Sequence, residues 1–113
     1  MKYFEIEYLE EAERFIRNQH PKIKAKIYYN IQIAEQTNNH ALFKKLKNDI
    51  WEFRTSYFGM QFRLLAFWDK TDSKKTLVLA THGFIKKVDK VPENEIWRAE
   101  QIRRKYFELK LKS

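Results

Sequence analysis

The stretch "IWEFRTSYFGMQFRLLAFW", residues 50–68, decides the fold of this chain. Its first half alternates apolar and polar residues, which is the pattern of a β-strand with one buried face. Its second half is apolar on nearly both faces, as expected for a central strand. Phe58 and Gly59 form the turn signal between the two halves, so the stretch predicts an antiparallel hairpin.

A two-residue turn in this hairpin fixes which side chains face each other. Tyr57 then pairs with Met60 and, counting back, Arg54 pairs with Arg63. Directly opposed like charges destabilise a sheet, so the arginine pair is easier to explain if it faces an anion, and two guanidinium forks suit a phosphate. In the same register Glu52 lies diagonal to Arg63. Neutralisation of one arginine by Glu52 therefore stays open, as does a different turn length that would separate the arginines.

The remaining segments place this hairpin in a small α+β fold. "KYFEI" (2–6) predicts a short strand, and apolar residues at helical spacing predict a helix over 8–18. Pro21 opens a second helix that should stop in "TNNH" at 37–40. The two helices form a hairpin.

Beyond residue 68, "TLVLATHGF" (76–84) predicts a third strand of the sheet, joined through a polar hairpin loop "DKTDSKK" (69–75). Pro92, followed by acidic residues, opens a last helix. The predicted order is β-α-α-β-β-β-α. We expect one domain over residues 1–113, in which a small antiparallel sheet carries an N-terminal helical hairpin on one face and a C-terminal helix.

Composition bounds the classes of partner. Lysine and arginine number 23 against 15 acidic residues, so the net charge is +8. Such a surplus favours an anionic partner, nucleic acid first, although many small basic proteins bind no nucleic acid. There is no cysteine, and the three histidines show no ligand spacing, so we expect no metal and no cofactor. No apolar run resembles a signal peptide or a membrane span, so we expect a cytoplasmic protein that does not contact membranes.

"THGFIKK" (81–87) closes the third strand with a histidine and two lysines. His82 alternates with Val78 and Ala80, so we expect it on their face, as a structural residue or as an acid–base group. Lys86 and Lys87 are either solvated loop charges or the floor of a site for an anion.

Several ordered motifs resemble the RelE/ParE toxin superfamily, and its HigB-like, phage-derived branch in particular. The motifs are "L…WEFR" and "FRLLAF" from the hairpin, then "HGFIKK" followed by a proline, a helix and "RA". The preceding helical hairpin fits the family's order too. The resemblance implies the toxin of a type II toxin–antitoxin system. Many such toxins cleave messenger RNA on the ribosome without a metal.

The resemblance also implies roles for individual residues. Arg54 and Arg63 match the arginines of the two central strands and would stabilise the phosphate and the transition state. Lys87 matches the second lysine of the basic pair, with His82 as a possible general acid or base. Further cations are expected to bind RNA: Lys86, Lys90, Arg103 and Arg104. Tyr106 is only a candidate for the C-terminal catalytic residue of some members.

Two other activities stay open at this point. A ParE-like member would inhibit DNA gyrase without cutting RNA, and a plain nucleic-acid-binding protein would do no chemistry. The implied partners are messenger RNA, the ribosome and a cognate antitoxin, which in the HigB branch is commonly a helix-turn-helix protein.

Overall fold

A computed structural model describes residues 2–71 and 76–112. The elements, in chain order, are β1 (Glu5–Tyr8), α1 (Glu10–Arg17), α2 (Pro21–Thr37), β2 (Phe43–Lys47), β3 (Ile50–Tyr57), β4 (Met60–Asp69), β5 (Leu77–Lys86) and α3 (Glu93–Leu111). The predicted α+β class is confirmed. The predicted loop 69–75 falls largely on residues 72–75, which lie outside the described residues.

The five strands form one sheet in the order β1-β5-β4-β3-β2. All neighbours are antiparallel except β1, which runs parallel to β5. Strand β2, "FKKLK", is an addition to the predicted order. Its three lysines hide the strand pattern, because a half-polar edge strand lacks the apolar alternation that identifies a strand. Exposed lysines on an edge strand also discourage pairing with another chain.

The helices cover both faces of the sheet. α1 and α2 pack on one face, where Ala12, Ile16, Ile27, Ile31 and Ala34 are buried against the sheet. α3 packs on the opposite face through Ile96 and Ala99. Each face therefore has its own apolar layer, which is why the central strands β4 and β5 are apolar on both sides.

The end of α2 and the start of the last helix follow the predicted signals. α2 begins at Pro21 and stops at Thr37, where Asn38 takes the left-handed conformation (φ 52°), a common helix terminator. α3 begins at Glu93 directly after Pro92, with acidic residues in its first turn, where the helix dipole favours them. The spacing of apolar residues predicts a buried stripe on this helix from Ile96 to Leu109, but Leu109 is largely exposed, so the stripe ends earlier.

Candidate anion site on the sheet

The β3–β4 hairpin has the predicted turn and the predicted register. Phe58 (φ 48°) and Gly59 (φ 80°) are the two turn residues. Positive φ at both central positions matches the right-handed twist of the flanking strands. Tyr57 pairs with Met60, and Arg54 lies directly opposite Arg63. The two arginines therefore share one face of the sheet.

Their face is the one that carries α3, and three consecutive cross-strand rows on it lead to the hairpin turn. The first contains Glu52, Leu65 and His82; the next contains Arg54, Arg63 and Phe84; the row nearest the turn contains Ser56, Gln61 and Lys86. Leu65 packs with Ile96 and Ala99 of α3. The arginine row lies next to this contact, and its Phe84 packs against the same apolar cluster.

Arg63 is buried and tied on several sides. Its Nε lies 3.0 Å from Glu52 Oε1, and the two side chains are 2% and 7% exposed. One terminal nitrogen donates to the Phe62 carbonyl oxygen at 3.1 Å. Burial lowers the pKa of Arg63 from its ordinary value, Arg54 lowers it further by repulsion, and Glu52 opposes both effects. A guanidinium remains charged at neutral pH in spite of such effects, so Arg63 is a fixed buried cation. The alternative in which Glu52 neutralises this arginine is confirmed.

A cleft of about 610 Å³ opens beside the arginine pair. Its walls come from the β3–β4 hairpin and from the end of β5 with the residues that follow it. The lining residues are Arg54, Gly59, Met60, Gln61, Arg63, Ile85, Lys86, Lys87, Val88 and Asp89. Four of these described lining residues are cations and one, Asp89, is a carboxylate. Glu52 behind Arg63 adds a second negative charge, so a positive surplus remains and the cleft favours an anion.

The three lysines at the end of β5 and directly after it reach the cleft region differently. Lys86 pairs with Gln61 and so starts on the arginine face, and its Nζ donates to the Asp89 carbonyl oxygen at 2.9 Å. Lys87 lies past the last residue of β5, is exposed and lines the cleft. Lys90 lines an adjoining hollow together with Lys44 and Lys47. This hollow shares Arg54, Lys86 and Asp89 with the cleft, so the basic surface is continuous.

His82 lies on the opposite face from the one that its alternation predicts. The expectation that it shares a face with Val78 and Ala80 is wrong because β5 has a bulge. Ala66 pairs with Ala80, whereas Leu65 pairs with His82, so Thr81 is an extra residue in the ladder. One extra residue reverses the alternation, and His82 therefore points towards α3.

The His82 ring is buried and has a partner at each nitrogen. Nδ1 lies 3.0 Å from Thr81 Oγ1, and Nε2 lies 3.0 Å from Glu95 Oε1 at the start of α3. Burial lowers the pKa of His82, and the Glu95 contact opposes this effect. His82 does not line the cleft. One cleft therefore brings together four of the predicted residues, Arg54, Arg63, Lys86 and Lys87, and His82 lies outside its lining.

The other predicted RNA-binding cations and Tyr106 lie elsewhere. Arg103 on α3 is 3.5 Å from Asp49 Oδ2, and its guanidinium lies over the Phe107 ring. Arg103 and Arg104 line a separate hollow. Tyr106 donates to the buried Asp69 carboxylate at 2.6 Å, so it anchors α3 to the end of β4.

Sequence reasoning missed Gln61, although the hairpin register could have found it. Gln61 is two residues before Arg63 on the same face, opposite Ser56, and its side chain contacts both. The lysines of β2 were missed with the strand itself. Among residues 2–71 and 76–112 no group of three or more metal-binding side chains occurs. Nor is any helix there long and apolar enough to cross a membrane.

The chain has the fold of the RelE toxins. A free mutant of the Escherichia coli toxin RelE superposes with a TM-score of 0.60, at 16% identity over 91% of this chain and 98% of that one. The toxin–antitoxin complex RelBE2 of Mycobacterium tuberculosis gives a TM-score of 0.51, at 16% identity over 76% and 100%. The intact E. coli RelBE complex gives 0.52, at 16% identity over 78% and 99%.

The sequence itself identifies the family. The family of phage-derived Gp49-like proteins matches residues 14–104, which includes the end of α1, all of α2, strands β2 to β5 and most of α3. This chain belongs to that family. No curated protein sequence matches it significantly. The phage-derived family and the RelE-like fold that the resemblance implied are confirmed.

Proposed function

We propose that this protein is the toxin of a type II toxin–antitoxin pair and that it cleaves messenger RNA on the ribosome. The observation that carries the proposal is the cleft in which Arg54 and Arg63 stand side by side with Lys86 and Lys87. The RelE fold supports it, since structures with this fold include a toxin and two toxin–antitoxin complexes.

The cleft supplies the positive charge that would stabilise the transition state of RNA cleavage. In the proposed reaction the 2′-oxygen attacks the adjacent phosphorus and the bond to the 5′-oxygen breaks. The products are a 2′,3′-cyclic phosphate and a 5′-hydroxyl. The phosphorane gains negative charge, which Arg54 and Arg63 would stabilise without moving, because their sheet positions are fixed before substrate binds. One proton leaves the 2′-hydroxyl and one is delivered to the 5′-oxygen. We assign Lys87 to charge stabilisation or to one of these transfers.

His82 has a supporting role in this proposal. Its side chain is 2% exposed and held between Thr81 and Glu95, so a substrate proton has no direct access to it. We propose that His82 positions β5 against the start of α3, directly behind the Arg54–Arg63 row. This places it outside the acid–base chemistry that its sequence position suggested.

A translating extract provides the test. The purified protein should cut a defined message that is being translated and leave the same naked RNA intact. EDTA added to the assembled complex should have no effect on the cut. Arg54→Ala should abolish cleavage, while Lys105→Ala, which removes one exposed cation from α3, should leave it unchanged. Intact message with impaired supercoiling by DNA gyrase would identify a ParE-like toxin instead, and neither effect would indicate a plain binding protein.

We also propose a cognate antitoxin, of the helix-turn-helix type, as the protein partner. Two of the structures with this fold are complexes of a toxin with its antitoxin. Inspection of the adjacent open reading frame, followed by co-expression, tests this. The neighbour should relieve growth inhibition and copurify with the toxin; failure on both counts would exclude it.

A further inference from the structure

The side chain of Gln61 lies over the terminal nitrogens of Arg63. Its Oε1 is 3.4 Å from each of the two terminal nitrogens, and the Ser56 hydroxyl donates to the same oxygen at 2.8 Å. A guanidinium has donors only, so the amide must present its oxygen to Arg63 and its NH₂ group away. A neutral acceptor thus occupies the position between the two prongs of the guanidinium fork.

This position is the one a phosphate oxygen would take in a fork-to-anion contact. The Arg63 side chain is 2% exposed, so an anion cannot reach its terminal nitrogens while the amide stays in place. Of the partners of Arg63, the Phe62 carbonyl belongs to the strand backbone and Glu52 is buried. Gln61 is a partly exposed side chain on the cleft wall, and it is the partner that can move by rotating.

The two contacts of Gln61 with Arg63 are long. At 3.4 Å each lies beyond the usual range of N–H···O hydrogen bonds, so each is weak, whereas a charge-assisted bond to a phosphate is shorter and about twice as strong as a neutral one. The shorter hydrogen bond from Ser56 restrains the amide on its far side. The hydrogen bonds that an entering anion forms with the Arg63 fork are therefore stronger than the amide contacts that it replaces.

We propose that Gln61 is a displaceable cover of the anion site: its amide oxygen occupies the Arg63 fork in the free protein, and a phosphate of the RNA replaces it. The RNA as occupant rests on the function proposed above. The cover itself is a property of the cleft and applies to any phosphate. Gln61 is in this sense a positioning residue, which sets how readily Arg63 receives its ligand.

Inorganic phosphate is the probe, titrated at constant ionic strength while the arginine side-chain NMR signals of the whole protein are followed. Gln61→Ala removes the cover and should tighten phosphate binding roughly three- to tenfold, the scale of one weak hydrogen bond. Gln61→Glu places a carboxylate on the fork and should weaken binding at least about tenfold, the scale of a hydrogen bond to a charged group. Ser56→Ala releases the restraint and should tighten binding by a smaller factor. Gln32→Ala, an exposed glutamine of α2, is the control and should change nothing.

The link to Arg63 is tested by a double substitution. In the background of Gln61→Ala, Arg63→Lys should remove the gain, because an ammonium has no fork for the amide to cover. Weaker phosphate binding by Gln61→Ala would overturn the proposal, since the amide would then be a direct ligand of the anion. Unchanged binding would overturn it as well, because the anion would not be using Arg63. If Gln61→Ala does not fold, the other two variants test the proposal: Gln61→Glu should weaken phosphate binding and Ser56→Ala should tighten it.

The outcomes separate this inference from the proposed function. Phosphate titration does not depend on ribosomes or on cleavage. If the three substitutions shift phosphate binding as expected but no message is cut, the cover stands and the endonuclease proposal fails. If message is cut on ribosomes while Gln61→Ala leaves phosphate binding unchanged, the endonuclease proposal stands and the cover is refuted.

Discussion

Glu52→Gln should destabilise the protein far more than the loss of an exposed ion pair does. The substitution keeps the size of the side chain and removes its charge, so Arg63 remains as a buried cation with Arg54 directly across the ladder. Breaking a buried pair costs about 3–5 kcal/mol. We expect about 3 kcal/mol here, the low end of that range, because a glutamine keeps an oxygen beside the Arg63 Nε and the neighbouring cleft is open to solvent.

That cost converts into a measurable shift. The entropy of unfolding near 60 °C is about 2.1 cal/mol/K per residue, so in a chain of 113 residues about 3 kcal/mol corresponds to a fall in Tm of roughly 13 °C. Circular dichroism melts measure it. The control is Glu93→Gln, which breaks the Lys47–Glu93 pair at a similar distance, 3.1 Å, but with side chains 55% and 76% exposed. Such a pair contributes about 1 kcal/mol or less.

Phosphate adds a second arm to the experiment. An anion bound at the cleft supplies the negative charge that Glu52→Gln removes, so millimolar phosphate should raise the Tm of Glu52→Gln more than that of the unmodified protein. Equal shifts for Glu52→Gln and Glu93→Gln would show that the buried pair does not hold Arg63, and the description of the site would be wrong. The same reasoning makes Arg63→Ala a poor activity test, because it leaves Glu52 buried without its partner.

Three further outcomes follow from the contacts. Gly83→Ala should lower stability by about 1–3 kcal/mol in a denaturant titration, because an added methyl group would lie within 3 Å of the Phe15 ring; an unchanged midpoint would mean that α1 does not pack there. Lys87→Ala should reduce message cleavage more than Lys86→Ala does, because the ammonium group of Lys86 already donates to a backbone carbonyl. A larger loss with Lys86→Ala would show that Lys86, and not Lys87, stabilises charge or transfers a proton. Asp69→Asn should lower Tm at pH 7, and this difference should shrink as pH falls below about 4; a difference independent of pH would refute it.

The sign of the Asp69 prediction comes from its partners. Burial alone would raise the pKa of this carboxyl group, but hydrogen bonds from Lys110, Thr71 and Tyr106 lower the pKa well below its usual range. A carboxylate with a lowered pKa in the folded state contributes stability above the unfolded pKa and loses it as pH falls towards the folded value. The contribution is therefore complete at pH 7.

The hairpin was predictable because its register depends only on local residues. Once Phe58 and Gly59 are recognised as the turn, counting outward gives every pair, including Arg54 with Arg63. The last helix and the end of α2 were equally predictable, since prolines, acidic residues and a polar run mark them. These signals depend only on neighbouring residues, so one sequence is enough to recognise them.

The errors arose where structure depends on residues distant in the chain. The bulge at Thr81 exists only relative to Leu65 and Ala66, so the strand sequence by itself does not reveal it. The partner of His82, Glu95, comes from the next helix. β2 is a strand because it pairs with β3, whereas its three lysines are typical of an exposed loop. Tyr106 was only a candidate that the resemblance implied, and in the structure its hydroxyl donates to Asp69, a residue that does not line the cleft.

The bulge at Thr81 also affects how residues should be compared among relatives of this protein. One inserted residue puts His82, Phe84 and Lys86 on the α3 face, whereas uninterrupted alternation would have put Gly83, Ile85 and Lys87 there. In a relative whose β5 lacks the insertion, the cation on the arginine face stands one alignment column away from its counterpart here. Equivalent residues in this segment are therefore those that share a ladder partner, such as Gln61 for Lys86, and an alignment without a gap at Thr81 would match Lys86 to the relative's counterpart of Lys87.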